Sequence, residues 1–87
     1  MEHYQIINCH CHDYLELACM RGYALLLELK QRPDLTAKAI TLETHSDKTE
    51  WLIINNHGTS EAIRLDQIIA ITPTDASASF QRIKIAS

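Results

Sequence analysis

The chain has 87 residues, 46% of them hydrophobic, which suffices for one compact unit with a small core. Two glycines and two prolines exclude low-complexity and disordered classes, and no run of ~18 apolar residues is present to span a membrane as a helix. The formal charge of −3 is gathered at one end: residues 1–20 carry Glu2, Asp13 and Glu16 without Lys or Arg, while the other eight acids are balanced by the eight bases. Direct binding of nucleic acid draws most of its affinity from phosphate neutralisation by a basic surface. An acidic end suits a basic partner instead.

Met1-Glu2-His3-Tyr4 has neither a basic n-region nor an apolar stretch, so no secretion signal is expected and the cytoplasm is the default compartment. Cys9, Cys11 and Cys19 are an odd number and read as reduced thiols. Residues 1–8 are expected to form an extended lead-in. Asp13 to about residue 21 then reads as a helix: Asp13 caps it, Glu16 completes a capping box, and Gly22 ends it with a positive φ. At about 100° per residue, Leu15, Ala18 and Cys19 share one face, and Asp13, Glu16, Leu17 and Met20 share the other. Acid mixed with apolar groups on an outward face has the character of an interface.

After Gly22 the apolar period changes from 3.6 to 2. Tyr23–Gln31 is the first predicted strand, with Leu25, Leu27 and Leu29 opposed to Leu26, Glu28 and Lys30. Arg32-Pro33-Asp34 makes a turn. Leu35–Thr44 follows, with Leu35, Ala37 and Ala39 opposed to Thr36, Lys38 and Ile40. The polar run His45–Lys48 is turn-like. Thr49–Asn55 is a third strand, Asn56-His57-Gly58 a tight hairpin, and Thr59–Leu65 a fourth strand. Leu65-Asp66-Gln67 leads into Ile68–Ile71, closed by Pro73, and Phe80–Ile85 alternates as a last edge strand. One domain over residues 1–87 follows, mainly β. A helix at about 13–21 precedes an antiparallel barrel of five to six strands at about 23–85, and closure removes the bare edges.

Cys9-His10-Cys11-His12 carries zinc-type ligands, which His3 or Cys19 could join. Adjacent residues of an extended segment point to opposite sides, and no Cys-x₂₋₄-Cys pair or second half-site follows, so no physiological metal is expected. A Cys/His nucleophile would need an orienting third group and a pocket, and no phosphate-binding loop, HExxH or GxSxG occurs. A non-enzyme without cofactor is the reading. Trp51, Tyr23 and Phe80 could stack on bases, but their place on apolar strands predicts core packing. Arg64 and Asp66 are expected to pair or to cap a turn. Asp13, Tyr14 and Glu16 are the preferred site, because carboxylates at i and i+3 sit side by side and accept charge-assisted hydrogen bonds from Arg or Lys.

Ile7-Asn8-Cys9 followed by Asp13-Tyr14-Leu15-Glu16-Leu17-Ala18-Cys19 resembles the opening of the Rof family, also called YaeO, small bacterial inhibitors of Rho-dependent transcription termination. The likeness continues through Leu25–Lys30, Ala37-Lys38-Ala39 and Arg64–Ile68, and spans about residues 4–72. The tail after Pro73 finds no match. The resemblance implies an Sm-like barrel with an N-terminal helix. It also implies a partner, the N-terminal RNA-binding domain of the Rho helicase, where such proteins keep RNA from loading at the primary site. Asp13 and Glu16, with Tyr14 beside them, carry over as contacts. Leu17 and Met20 complete that face by helical spacing, and Asp47 with Lys48 forms a second rim outside the matched residues. The chain departs from the family at His10, Cys11 and His12, where the family is acidic, and at Tyr14, where a small polar residue is expected with the aromatic one position earlier. Two other readings stand beside this one: an Sm-like module that binds RNA directly, and a metal- or redox-responsive module using the three cysteines.

Overall fold

A computed structural model describes Tyr4 and residues 7–86. Helix α1 runs from Cys9 to Arg21, four residues longer at its start than the sequence pattern suggests. Its cap is Asn8, whose Oδ1 accepts from the His10 N–H at 2.8 Å, while the His12 N–H donates to the Asn8 carbonyl at 3.1 Å. Asp13 therefore lies inside the helix and caps nothing. Its Asp-x-x-Glu pattern with Glu16 imitates a capping box, and the true cap is followed by a first turn with no acidic residue. The extended lead-in expected for residues 1–8 falls largely outside the described residues.

Gly22 ends α1 at φ 63°, ψ 37°, and the Gly22 and Tyr23 N–H groups close back on the carbonyls of Cys19 and Ala18. This left-handed closure turns the chain directly into the sheet. Six strands follow: β1 (Ala24–Leu29), β2 (Leu35–Thr44), β3 (Glu50–Asn56), β4 (Thr59–Arg64), β5 (Ile68–Pro73) and β6 (Ile83–Lys84), with a 3₁₀ turn at Leu65–Gln67. All pairings are antiparallel, in the order β4-β3-β2-β1-β5-β6.

The predicted barrel does not close. β4 and β6 are the two edges of the sheet, and no ladder joins them among the described residues. The predicted last strand, Phe80–Ile85, shrinks to two residues that pair with Ala70 and Ile71 of β5, too short a ladder to carry the sheet round to β4. The β4 edge is guarded by charge instead: Arg32, from the turn after β1, bonds the Glu61 carboxylate at 2.5 Å.

Alternation places the core as β1 predicts, with Leu25, Leu27 and Leu29 buried. Leu52 and Ile54 of β3, Ile63, Leu65, Ile68 and Ile71 join them, together with Leu15 and Ala18 from α1. In β2 the alternation holds through Ala37 and Ala39 and then breaks. The ladder jumps from Ala39↔Ile54 to Thr41↔Ile53, so Ile40 is an extra residue, left 44% exposed, and Leu42 packs against the core instead of Thr41. The β3–β4 hairpin is a two-residue turn with both His57 and Gly58 at positive φ, as a type I′ connection requires.

The aromatic residues divide. Phe80 is buried, with Tyr14 and Tyr23 tilted against it at centroid distances of 5.1 and 5.9 Å. Trp51, expected in the core, is only half-buried, because Leu52 and Ile54 take the inward positions of β3 and leave Trp51 on the opposite side of the pleat. The His45 ring stacks on its indole at 4.8 Å and 18°.

The cap assignment makes a direct prediction. Asn8→Ala should destabilise the fold by about 1 kcal/mol, while Asp13→Ala should stay within about 0.5 kcal/mol of the parent. Urea unfolding followed by circular dichroism distinguishes the two, and the reverse ranking would return the helix start to Asp13.

Candidate partner-binding face

Helix α1 lies along β2. Its C-terminal end stands by Lys38, whose Cε would lie 3.0 Å from a Cβ at Gly22. Its N-terminal half is tied to the start of β3, where His12 Nε2 donates to the Glu50 carboxylate. Leu15 and Ala18 are fully buried beneath it, and Cys11 anchors the inner side by donating its S–H to the Lys84 carbonyl at 3.2 Å. The opposite side is thereby fixed towards solvent.

That outward side carries Asp13, Glu16 and Met20, at the i, i+3, i+7 spacing that aligns them on one face. Met20 is 84% exposed, an unusual position for a large apolar side chain. Glu16 lies 4.0 Å from His12 Nδ1 and is otherwise open. Asp13 makes no ion pair with any described residue. The structure brings these three of the predicted contacts together.

Two others are placed differently. Tyr14 is exposed only to 37%, with one side of its ring resting on Phe80. Leu17, expected to face outward, is half-buried and packs against the core. The face is therefore acidic with one apolar centre at Met20 and a closed apolar flank.

Asp47 and Lys48 lie in the β2–β3 turn, next to Glu50 and so at the end of the sheet to which the front of α1 is tied. Asp47 is engaged inside its own turn. Its carboxylate accepts from the Thr49 hydroxyl at 2.6 Å and the Thr49 N–H at 3.1 Å, which holds its pKa below the usual carboxylate value. Lys48 sits at φ 69° in the same turn.

Sequence reasoning misses the second wall of this face. A groove of about 330 Å³ runs between α1 and β2, lined by Glu16, Cys19, Met20, Thr41 and Leu42. Thr41 and Leu42 arrive there through the bulge at Ile40, and the only sequence signal is the run Ile40-Thr41-Leu42, where strict alternation stops. At the groove floor, burial pushes the Cys19 thiol up to about 11, with the nearby Glu16 carboxylate adding to the effect.

The Cys-His run occupies the first turn of α1, where residues two apart point to opposite sides. Cys9 is exposed and Cys11 faces inward. Among the described residues no three His, Cys, Asp or Glu side chains gather as a metal group, and His3 lies outside those residues. Arg64 and Asp66 do pair, through Nε–Oδ1 at 2.6 Å and a second bond at 3.1 Å, which supports Asp66 at 3% exposure. Among the described residues no helix is long and apolar enough to cross a membrane.

Known proteins share the architecture of a helix laid on an antiparallel sheet. The fold matches the solved structure of YaeO bound to magnesium from Vibrio cholerae O395, with a TM-score of 0.74 at 22% identity, over 83% of this chain and 94% of that one. The family model for ROF, modulator of Rho-dependent transcription termination, matches residues 6–85. The chain is 41% identical over 69 residues to Protein rof of Escherichia coli K12 and to that of Shigella flexneri, covering 79% of this chain and 81% of each relative. The chain belongs to the Rof family. The match reaches past Pro73 to residue 85, so the tail that the sequence likeness left unmatched is part of the family pattern.

The thiol environments predict an order of reactivity. The thiolate is the reactive form, and a raised pKa keeps Cys19 protonated at pH 8. Brief alkylation at pH 8 with peptide mapping should label Cys9 first and Cys19 last; early labelling of Cys19 would contradict its burial between α1 and β2.

Proposed function

We propose that the chain acts as a single Rof-like domain in the cytoplasm. It binds the N-terminal RNA-binding domain of Rho through the outward face of α1 and keeps RNA from the primary site. It works by occupancy and not by catalysis. The observation that carries this reading is the exposed row Asp13, Glu16 and Met20 on a helix whose other side is pinned to the sheet. Membership of a family described as a modulator of Rho-dependent termination supplies the partner.

The physics favours a basic target. An RNA site must present Arg and Lys to phosphate, and carboxylates held on a rigid helix meet the same cations. A charge-assisted hydrogen bond contributes roughly 1.5–3 kcal/mol when partly desolvated. Met20 and the groove behind it accept the aliphatic stem of a long basic side chain, whose head then reaches Glu16. The first turn of α1 carries Cys9, His10, Cys11 and His12 and no acidic residue. The burden falls on Asp13 and Glu16, with the Asp47 turn as a second rim.

Binding of purified Rho by biolayer interferometry tests this. Asp13→Lys and Glu16→Lys should each weaken binding at least tenfold, about 1.4 kcal/mol. The parent's affinity should fall as salt rises, and an RNA oligomer should compete with it. Circular dichroism checks that the variants keep the fold. Wild-type affinity in both charge reversals would remove the face from the account, and simultaneous binding of RNA and protein at full occupancy would remove the blocking mechanism.

A further inference from the structure

A second feature lies where the sheet stays open. Between the β1–β2 turn and the β4 edge is a cleft of about 410 Å³ that shares no lining residue with α1. Lys30 and Arg32 approach it from the turn side, Arg64 from the end of β4, Gln67 from the 3₁₀ turn, and Trp51 from β3. Three of the protein's eight bases converge here, and no carboxylate lines the cleft. Arg32 pairs with Glu61 and Arg64 with Asp66, so the net positive charge of the cleft rests on Lys30.

The groups are held in place. Arg32 is fixed by Glu61 at 2.5 Å and Arg64 by two bonds to Asp66. Lys30 makes no ion pair with any described residue, so its ammonium is the cation free to meet a ligand. The indole of Trp51 is locked by its Nε1–H, which donates to the Thr49 hydroxyl at 2.8 Å, and by His45 stacked on one face. Arg64 is its direct cross-strand neighbour.

A fixed aromatic plane beside a free ammonium suits a nucleotide. A base stacks on the aromatic ring, and a phosphate takes the ammonium. The volume also suits a ligand of that size. An acidic peptide would use the cations but not the indole. We propose that this cleft binds a nucleotide, with the base against Trp51 and the phosphate against Lys30. The nucleotide is either a free nucleoside monophosphate or one unit of single-stranded RNA.

Trp51 is the protein's one tryptophan, so its fluorescence reads the site directly. The intact chain is titrated with UMP, AMP, inorganic phosphate and a short single-stranded RNA. Saturable quenching by a mononucleotide, with phosphate at least tenfold weaker, is expected. Lys30→Glu should weaken the nucleotide at least tenfold, Lys30→Ala less, and Asp13→Lys not at all, which separates this site from the Rho-binding face. Comparable half-saturation by mononucleotide and oligomer identifies the free nucleotide as the ligand. An oligomer that binds more tightly and weakens steeply with salt identifies RNA. Linear, non-saturating quenching by nucleotide and oligomer alike would overturn the proposal, as would phosphate binding as tightly as UMP or unchanged nucleotide binding in a folded Lys30→Glu chain.

Discussion

The seating of α1 on the sheet is the constraint on which the rest depends. Leu15 and Ala18 disappear beneath the helix, and complete burial of a leucine contributes about 2–3 kcal/mol. Gly22 allows the chain to reverse from helix into β1 within one residue, so the helix has little freedom to lift away. His12 bonded to Glu50 and Tyr14 leaning on Phe80 hold the two flanks. Rotation about the helix axis would unseat all of these at once. The acidic row is therefore presented at a set angle, and its carboxylates need no ordering when they meet a partner.

Charge is segregated on this small body. The outward side of α1 holds carboxylates without nearby Lys or Arg partners among the described residues, whereas the open side of the sheet gathers Lys30, Arg32 and Arg64. Both arrangements trace to topology. The helix lies along β2, inside a sheet ordered β4-β3-β2-β1-β5-β6, and β4 is an edge two strands away. The helix side of the sheet thus carries the carboxylates, while the β4 edge borders the cleft that holds Lys30 and Trp51.

Much of this was legible in the chain itself. The strand positions follow from period-2 alternation and from short turn signals such as Asn56-His57-Gly58, because both are local properties. Gly22 as the helix end is local too. The misreadings have non-local or degenerate causes. Asp13 reads as the cap because Asp-x-x-Glu is a local signal, yet Asn8 caps the helix, its side chain accepting from the His10 N–H and its carbonyl from the His12 N–H. Leu17 looks solvent-facing on a helical wheel, yet it packs against a core assembled from distant strands. Trp51 looks like core by residue type, yet the inward phase of β3 belongs to Leu52 and Ile54. Closure fails because β6 is too short, which no local pattern announces. The candidate face itself was readable in Asp13, Glu16 and Met20, but not its second wall, which depends on the bulge at Ile40.

The central claim is that the protein meets Rho with the outward face of α1. Amide chemical-shift mapping of isotope-labelled protein, titrated with the N-terminal RNA-binding domain of Rho, tests it most directly. The account predicts that the largest changes cluster at Asp13, Glu16 and Met20 and extend to Thr41–Leu42 and the turn at Asp47-Lys48, leaving Lys30, Trp51 and Arg64 nearly unmoved. Changes centred on Lys30, Trp51 and Arg64 with α1 undisturbed would contradict it.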